Sequence, residues 1–66
     1  MQIQVNGEPR EVAEGATLSS LVADLHLEGS RYAIEVNEEL VPRSEHARYR
    51  LQEGDRVEVV QAIGGG

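Results

Sequence analysis

Helical periodicity occurs once in this chain. Leu18, Leu21, Val22 and Leu25 fall at i, i+3, i+4 and i+7 and form one apolar face. Ser19, Ser20 and Asp24 fall on the other. Thr17 stands where an N-cap hydroxyl accepts an early helical N–H. Gly29, just past His26, reads as the stop signal. A helix of about three turns is marginal in isolation, so its Leu/Val stripe needs a sheet to cover it.

The remainder reads as strands and turns. Residues 1–6 alternate, with Met1, Ile3 and Val5 on one side and Gln2, Gln4 and Asn6 on the other. Asn6-Gly7 is a hairpin signal, because both residues tolerate positive φ. Pro9 belongs at a turn or sheet edge, where no ladder donor is needed. Glu11-Val12-Ala13 is the expected return strand. Beyond the helix, Tyr32, Ile34 and Val36 alternate with Ala33, Glu35 and Asn37. Asn37-Glu38-Glu39 is a turn that lacks the usual glycine, and Leu40-Val41 is a short strand ended by Pro42. Residues 43–50 are irregular and charged, with one helical turn near Ser44-Glu45-His46. Leu51 anchors them to the core. Glu53-Gly54-Asp55 is a tight turn, and Arg56-Val57-Glu58-Val59-Val60 is a closing strand rich in β-branched residues. The order β-β-α-β-β-β, with one helix across a mixed sheet, is an α+β β-grasp (ubiquitin-like) arrangement. Residues 1–63 form the expected single domain, and residues 64–66 a flexible glycine tail.

Composition excludes several chemistries. The 66 residues contain no cysteine, which removes disulfides, iron–sulfur clusters, thiol nucleophiles and thiolate zinc sites. Lysine, Phe and Trp are also absent, leaving an aliphatic core of Leu, Val and Ile. Twelve acidic residues against six basic ones give a net charge of −6, which disfavours nucleic acid and favours positively charged partner surfaces. No apolar run approaches the roughly 18 residues of a membrane helix. The start has no basic n-region or apolar h-region, so a cytoplasmic protein is expected. His26 and His46 fit no metal spacing and read as a helix-terminal and a loop histidine. The serines lack an elbow motif and a base. A chain this short cannot enclose a deep pocket, so an enzyme is not expected.

The C-terminus is the exception. The closing strand runs through Gln61-Ala62-Ile63 into Gly64-Gly65-Gly66. Glycine has no Cβ, so an extended Gly64-Gly65 can thread a tunnel that any side chain would block. The group it would deliver is the Gly66 α-carboxylate. Ionised at neutral pH, it is a poor electrophile and needs activation, normally by adenylation. No phosphate-cradling loop is present, so the activating enzyme would be a separate protein.

The opening Met1-Gln2-Ile3-Gln4-Val5-Asn6-Gly7, the Thr17-Leu18 helix start with Leu21 and Leu25, Val36-Asn37 and Val41-Pro42-Arg43 carry a resemblance. So, most specifically, does the run from Leu51-Gln52-Glu53-Gly54-Asp55 through Arg56-Val57-Glu58-Val59-Val60 to the terminal glycines. Over its whole length the chain resembles the ubiquitin-like sulfur carriers, in particular the thiamine-biosynthesis (ThiS) family. Glu38 departs from the glycine common there, which bears on the turn type.

The resemblance implies that a ThiF-type adenylyltransferase, using ATP and magnesium, adenylates Gly66. A cysteine desulfurase persulfide, or another persulfide source, then supplies sulfur. A ThiG-type thiazole synthase receives that sulfur from the Gly66 thiocarboxylate. The carrier would bind no cofactor and supply no catalytic side chain. Three alternatives stay open: the small subunit of molybdopterin synthase, a ubiquitin-like protein modifier, and a non-transferring β-grasp interaction module. Partner docking is expected at Val60 and Ile63, with Arg43 and the acidic turns as a polar rim. Val60 can equally belong to the core. The missing lysines and cysteines would also spare an activated tail from capture by its own domain.

Overall fold

Alternating strands and one apolar helical stripe pair off as β1 (Gln2–Val5), β2 (Glu8–Glu11), α1 (Leu18–Asp24), β3 (Tyr32–Val36), β4 (Glu39–Val41), a 3-10 turn (Arg43–Glu45) and β5 (Arg56–Gln61). The computed structural model describes residues 1–61. The five strands form one sheet in the order β2-β1-β5-β3-β4. The central β5 runs parallel to β1 and antiparallel to β3. This is the expected β-β-α-β-β-β mixed sheet with a single helix, a β-grasp fold.

Both hairpins turn on two residues with positive φ, which matches the twist of the flanking strands. Asn6 and Gly7 have φ of 51° and 84°; Asn37 and Glu38 have φ of 52° and 73°. Each asparagine also reaches β5. Asn6 Oδ1 accepts from the Val59 N–H at 2.8 Å, and Asn37 Oδ1 from the Arg56 N–H at 3.0 Å. The two turns therefore fix the position of the central strand from both sides.

The helix stripe and the inner face of the sheet meet in an aliphatic core. Ile3, Leu18, Leu21, Ile34, Val36 and Val57 are all but fully buried, with Val22, Leu27, Val41 and Leu51 around them. The irregular segment has a structural role of its own. Leu18 N–H donates to Tyr49 O at 3.0 Å and Ser19 N–H to His46 O at 3.1 Å, while Leu51 N–H returns to Ala16 O at 2.9 Å. Residues 46–51 thus satisfy donors at the helix N-terminus that no intrahelical carbonyl can reach. Thr17 and Ser20 complete the cap reciprocally: Ser20 N–H donates to Thr17 Oγ1 at 3.2 Å and Thr17 N–H to Ser20 Oγ at 3.0 Å.

Two local expectations are corrected. The return strand is Glu8–Glu11 rather than 11–13, because the two-residue turn at Asn6-Gly7 forces pairing to resume at once. Its polar sequence suits a sheet edge, and there Pro9 pairs opposite Gln4. The helix has seven residues, about two turns rather than three, and it does not stop at Gly29. His26, at φ 58°, takes the left-handed position past the Leu25 C-cap. His26 N–H then bonds Ala23 O, and Leu27 N–H bonds Val22 O, both at 3.1 Å. That is a Schellman ending with buried Leu27 as its hydrophobic contact. His46 lies in the loop after the 3-10 turn, as expected, and it is buried there, with Nε2 2.9 Å from Val41 O. Among the described residues no helix is long and apolar enough to cross a membrane.

Candidate functional site at the exit of the last strand

The register of β5 against β3 decides what surrounds the end of the described chain. Gln61 pairs with Tyr32, Val60 with Ala33 and Val59 with Ile34. Ile34 is fully buried under the helix, so Val59 faces inward, whereas Val60 and Ala33 face away from it. Val60 is 60 % exposed, which places it outside the core and leaves it available to a partner. With Arg31, Tyr32, Ala33 and Gln61 it lines a shallow recess of about 300 Å³.

Tyr32 is held from two sides. The Arg43 guanidinium carbon lies 4.1 Å from the centre of its ring, within cation–π distance. The His46 ring stacks at 6.1 Å with an interplanar angle of 27°. Arg43 Nη2 donates to Ser30 O at 3.0 Å, which ties the arginine to the segment before β3. Arg43 therefore lies against Tyr32, the residue that pairs with Gln61 at the end of β5. Its partners there, Tyr32 and His46, carried no signal in the sequence, since stacking joins residues fourteen apart in the chain.

The open face of the sheet extends this surface. Leu40 pairs with Glu35, which pairs in turn with Glu58. Leu40 is 65 % exposed and lies on the same face as Val60. Two apolar side chains thus stand among carboxylates on the face the helix does not cover. Sequence alternation assigned Leu40 to a strand but not to a face.

Ile63, Gly64, Gly65 and Gly66, the remaining expected site residues, lie outside the described residues, as does the boundary between domain and tail.

The opposite end of the sheet is built differently. Asn37, Arg48, Tyr49, Arg50, Gln52 and Asp55 line a polar recess of about 530 Å³. Buried Asp55 accepts from Asn37 Nδ2 at 3.1 Å and from the Gln52 N–H at 2.8 Å, which locks the turn before β5. Burial, then the Asp55 and Glu39 carboxylates, hold the Tyr49 hydroxyl above its ordinary pKa, so it stays neutral at physiological pH. No group of three or more His, Cys, Asp or Glu side chains able to hold a metal occurs among the described residues.

The ThiS family model matches residues 3–66. The chain belongs to the ThiS family. It is 33 % identical over 66 residues to the sulfur carrier protein ThiS of Escherichia coli K12, each chain covered in full. The crystal structure of the thiamine biosynthesis protein ThiS from Geobacter metallireducens superposes with a TM-score of 0.84 at 30 % identity, again over the whole of both chains. A thiazole synthase of Paramagnetospirillum magneticum is 36 % identical over 66 residues, and there the chain spans only 20 % of the relative's length. Over its whole length the chain shares the sequence pattern and the β-grasp fold of its ThiS relatives.

Proposed function

We propose that the chain carries sulfur for the thiazole moiety of thiamine, with the Gly66 carboxylate as the sulfur-bearing group. The observation that carries this reading is the full-length match to ThiS sulfur carriers in both sequence and fold. The exposed, acid-flanked surface at the exit of β5 supports it, since the residues that follow Gln61 lead to the terminal glycines.

The chemistry follows from the carboxylate. A ThiF-type adenylyltransferase uses ATP and Mg²⁺ to form an acyl adenylate with release of pyrophosphate. A hydrosulfide equivalent then displaces AMP, which leaves with the displaced oxygen, and Gly66 becomes a thiocarboxylate. Where a cysteine persulfide delivers the sulfur, a thiol reductant cleaves the acyl disulfide. A ThiG-type thiazole synthase takes the sulfur. The Paramagnetospirillum thiazole synthase, with its matching segment, supports that partnership. Docking uses Val60 and Ile63, with Arg43 at the rim, and the carboxylates of the open face attract positively charged partner surfaces.

Incubating the protein with a ThiF-type adenylyltransferase, MgATP and a sulfur source is expected to raise its intact mass by about 16 Da, sulfur replacing oxygen at a C-terminal carboxyl. Deleting Gly66 is expected to abolish the gain while leaving the melting temperature unchanged. Full loading of a variant lacking Gly65 and Gly66 excludes this assignment of the sulfur-bearing group.

A further inference from the structure

An activated carboxyl on a short tail is a hazard to its own protein. Tethering holds it near its domain at an effective concentration in the millimolar range, and any accessible amine can displace the leaving group to form a stable amide. We infer that the fold makes this chain inert as an acceptor of its own activated terminus, so that the acyl group survives for an external nucleophile. The inference rests on the carrier reading and adds a source of specificity to it.

Three observations carry it. First, none of the 66 residues is lysine or cysteine; every cationic side chain other than the histidines is an arginine. A guanidinium stays protonated and non-nucleophilic, so it supplies positive charge without an acceptor. Second, the Met1 nitrogen is engaged. It donates to Val12 O at 2.8 Å and pairs with Glu11 Oε2 at 3.3 Å. Third, that nitrogen sits at the wrong end of the sheet. Gln4 is level with Arg56 on the parallel strands β1 and β5. Met1 lies three residues before Gln4 and Gln61 five after Arg56, a separation of eight residues, or about 26 Å at the parallel-strand rise. Gly66 lies five residues beyond Gln61, and five residues span at most about 18 Å. The nitrogen is therefore beyond the reach of Gly66 in the same molecule.

The remaining nucleophiles leave no lasting product. An acyl group on exposed His26 is an acyl imidazole, which water returns to the free carboxylate and imidazole. Serine, threonine and tyrosine hydroxyls are neutral and weakly nucleophilic at physiological pH.

The positions of the arginines make this testable. Arg31 borders the recess at the strand exit with Val60 and Gln61. Glu14 lies beyond Val12, whose N–H bonds Met1 O at 2.8 Å at the far end of the sheet. A C-terminal thioester of Gly66, made by intein thiolysis, activates the terminus without an adenylyltransferase. The result is then independent of whether the chain carries sulfur. Wild type, Arg31→Lys and Glu14→Lys are held as thioesters at mildly alkaline pH and low micromolar concentration. Intact mass follows the product, and thermal melting confirms that each is folded.

The wild type is expected to give only thioester and hydrolysed acid. Arg31→Lys is expected to release the thiol and form an internal amide, about 18 Da lighter than the acid, at least about tenfold faster than Glu14→Lys. Self-linked or dimeric wild type overturns the inference, and so do equal rates of self-linkage in the two lysine variants. Failure of sulfur loading with intact self-inertness counts against the carrier reading alone.

Discussion

Four non-glycine residues occupy backbone conformations that suit glycine, and two of them, unlike Asn6 and Asn37, lack asparagine's tolerance of it. Glu38, at φ 73° in the second hairpin, and His26, at φ 58° past the helix, both lie in the left-handed region, where a Cβ costs about 1–2 kcal/mol. Glycine removes that strain but enlarges the unfolded ensemble, which returns part of the gain. Glu38→Gly is therefore expected to stabilise the protein by up to about 1 kcal/mol, a rise of about 4–8 °C in melting temperature for a domain of this size. An unchanged or lowered melting temperature would show that Glu38 makes an offsetting interaction in the turn. The same residues explain a limit of sequence reading. Helix ends are recognised by glycine at the left-handed position, so Gly29 attracted the stop signal, while the chain turned three residues earlier on a histidine. His46 read as a loop residue, which it is, but its burial was not legible because its partners, Val41 O and the Tyr32 ring, belong to other elements.

The elements were legible to the extent that their periodicity reflects burial. β1, β3 and β5 alternate because one face is packed on the helix and the other is open, and α1 shows its stripe for the same reason. β2 was misplaced because an edge strand with both faces near water has no alternation to read. In residues 46–51 the anchor Leu51 was legible and is buried, whereas the bonds of the His46 and Tyr49 carbonyls to the helix start carried no signal, since a backbone carbonyl takes any side chain. The Thr17 cap, in contrast, was readable, because a side-chain hydroxyl does the work. In the structure it forms half of a reciprocal pair with Ser20, whose Oγ also donates to Thr17 O at 2.8 Å. Thr17→Ala removes one acceptor and is expected to cost about 1 kcal/mol, seen as a lower denaturation midpoint with an unchanged denaturant slope. A loss below about 0.3 kcal/mol would mean that the strap at 46–51, not Thr17, fixes the helix start.

At the scale of the whole molecule, a sheet with one helix leaves one face uncovered. On that face the chain places Leu40 and Val60, the large hydrophobics that remain exposed among the described residues, beside Glu35 and Glu58. A monomer does not gain stability from such side chains, whereas a partner gains contact area from them. Val60 directly precedes Gln61, so a partner engaging the terminus meets this surface at the same time. Sequence alone could not decide between core and surface for Val60, because Val59-Val60 interrupts the alternation of β5. The pairing of Val60 with Ala33, off the buried register of Ile34, decides it. Val60→Asp is therefore expected to leave the melting temperature within about 4 °C of wild type, since it empties no core site and exposed substitutions rarely exceed about 0.5 kcal/mol. It is expected to slow adenylation by a ThiF-type enzyme by about tenfold or more, an apolar contact being lost and a desolvated charge introduced at the interface. A folded variant adenylated at the wild-type rate would move docking elsewhere, with Leu40→Asp as the next variant to measure. Unfolding would instead mean that Val60 supports the sheet despite its exposure.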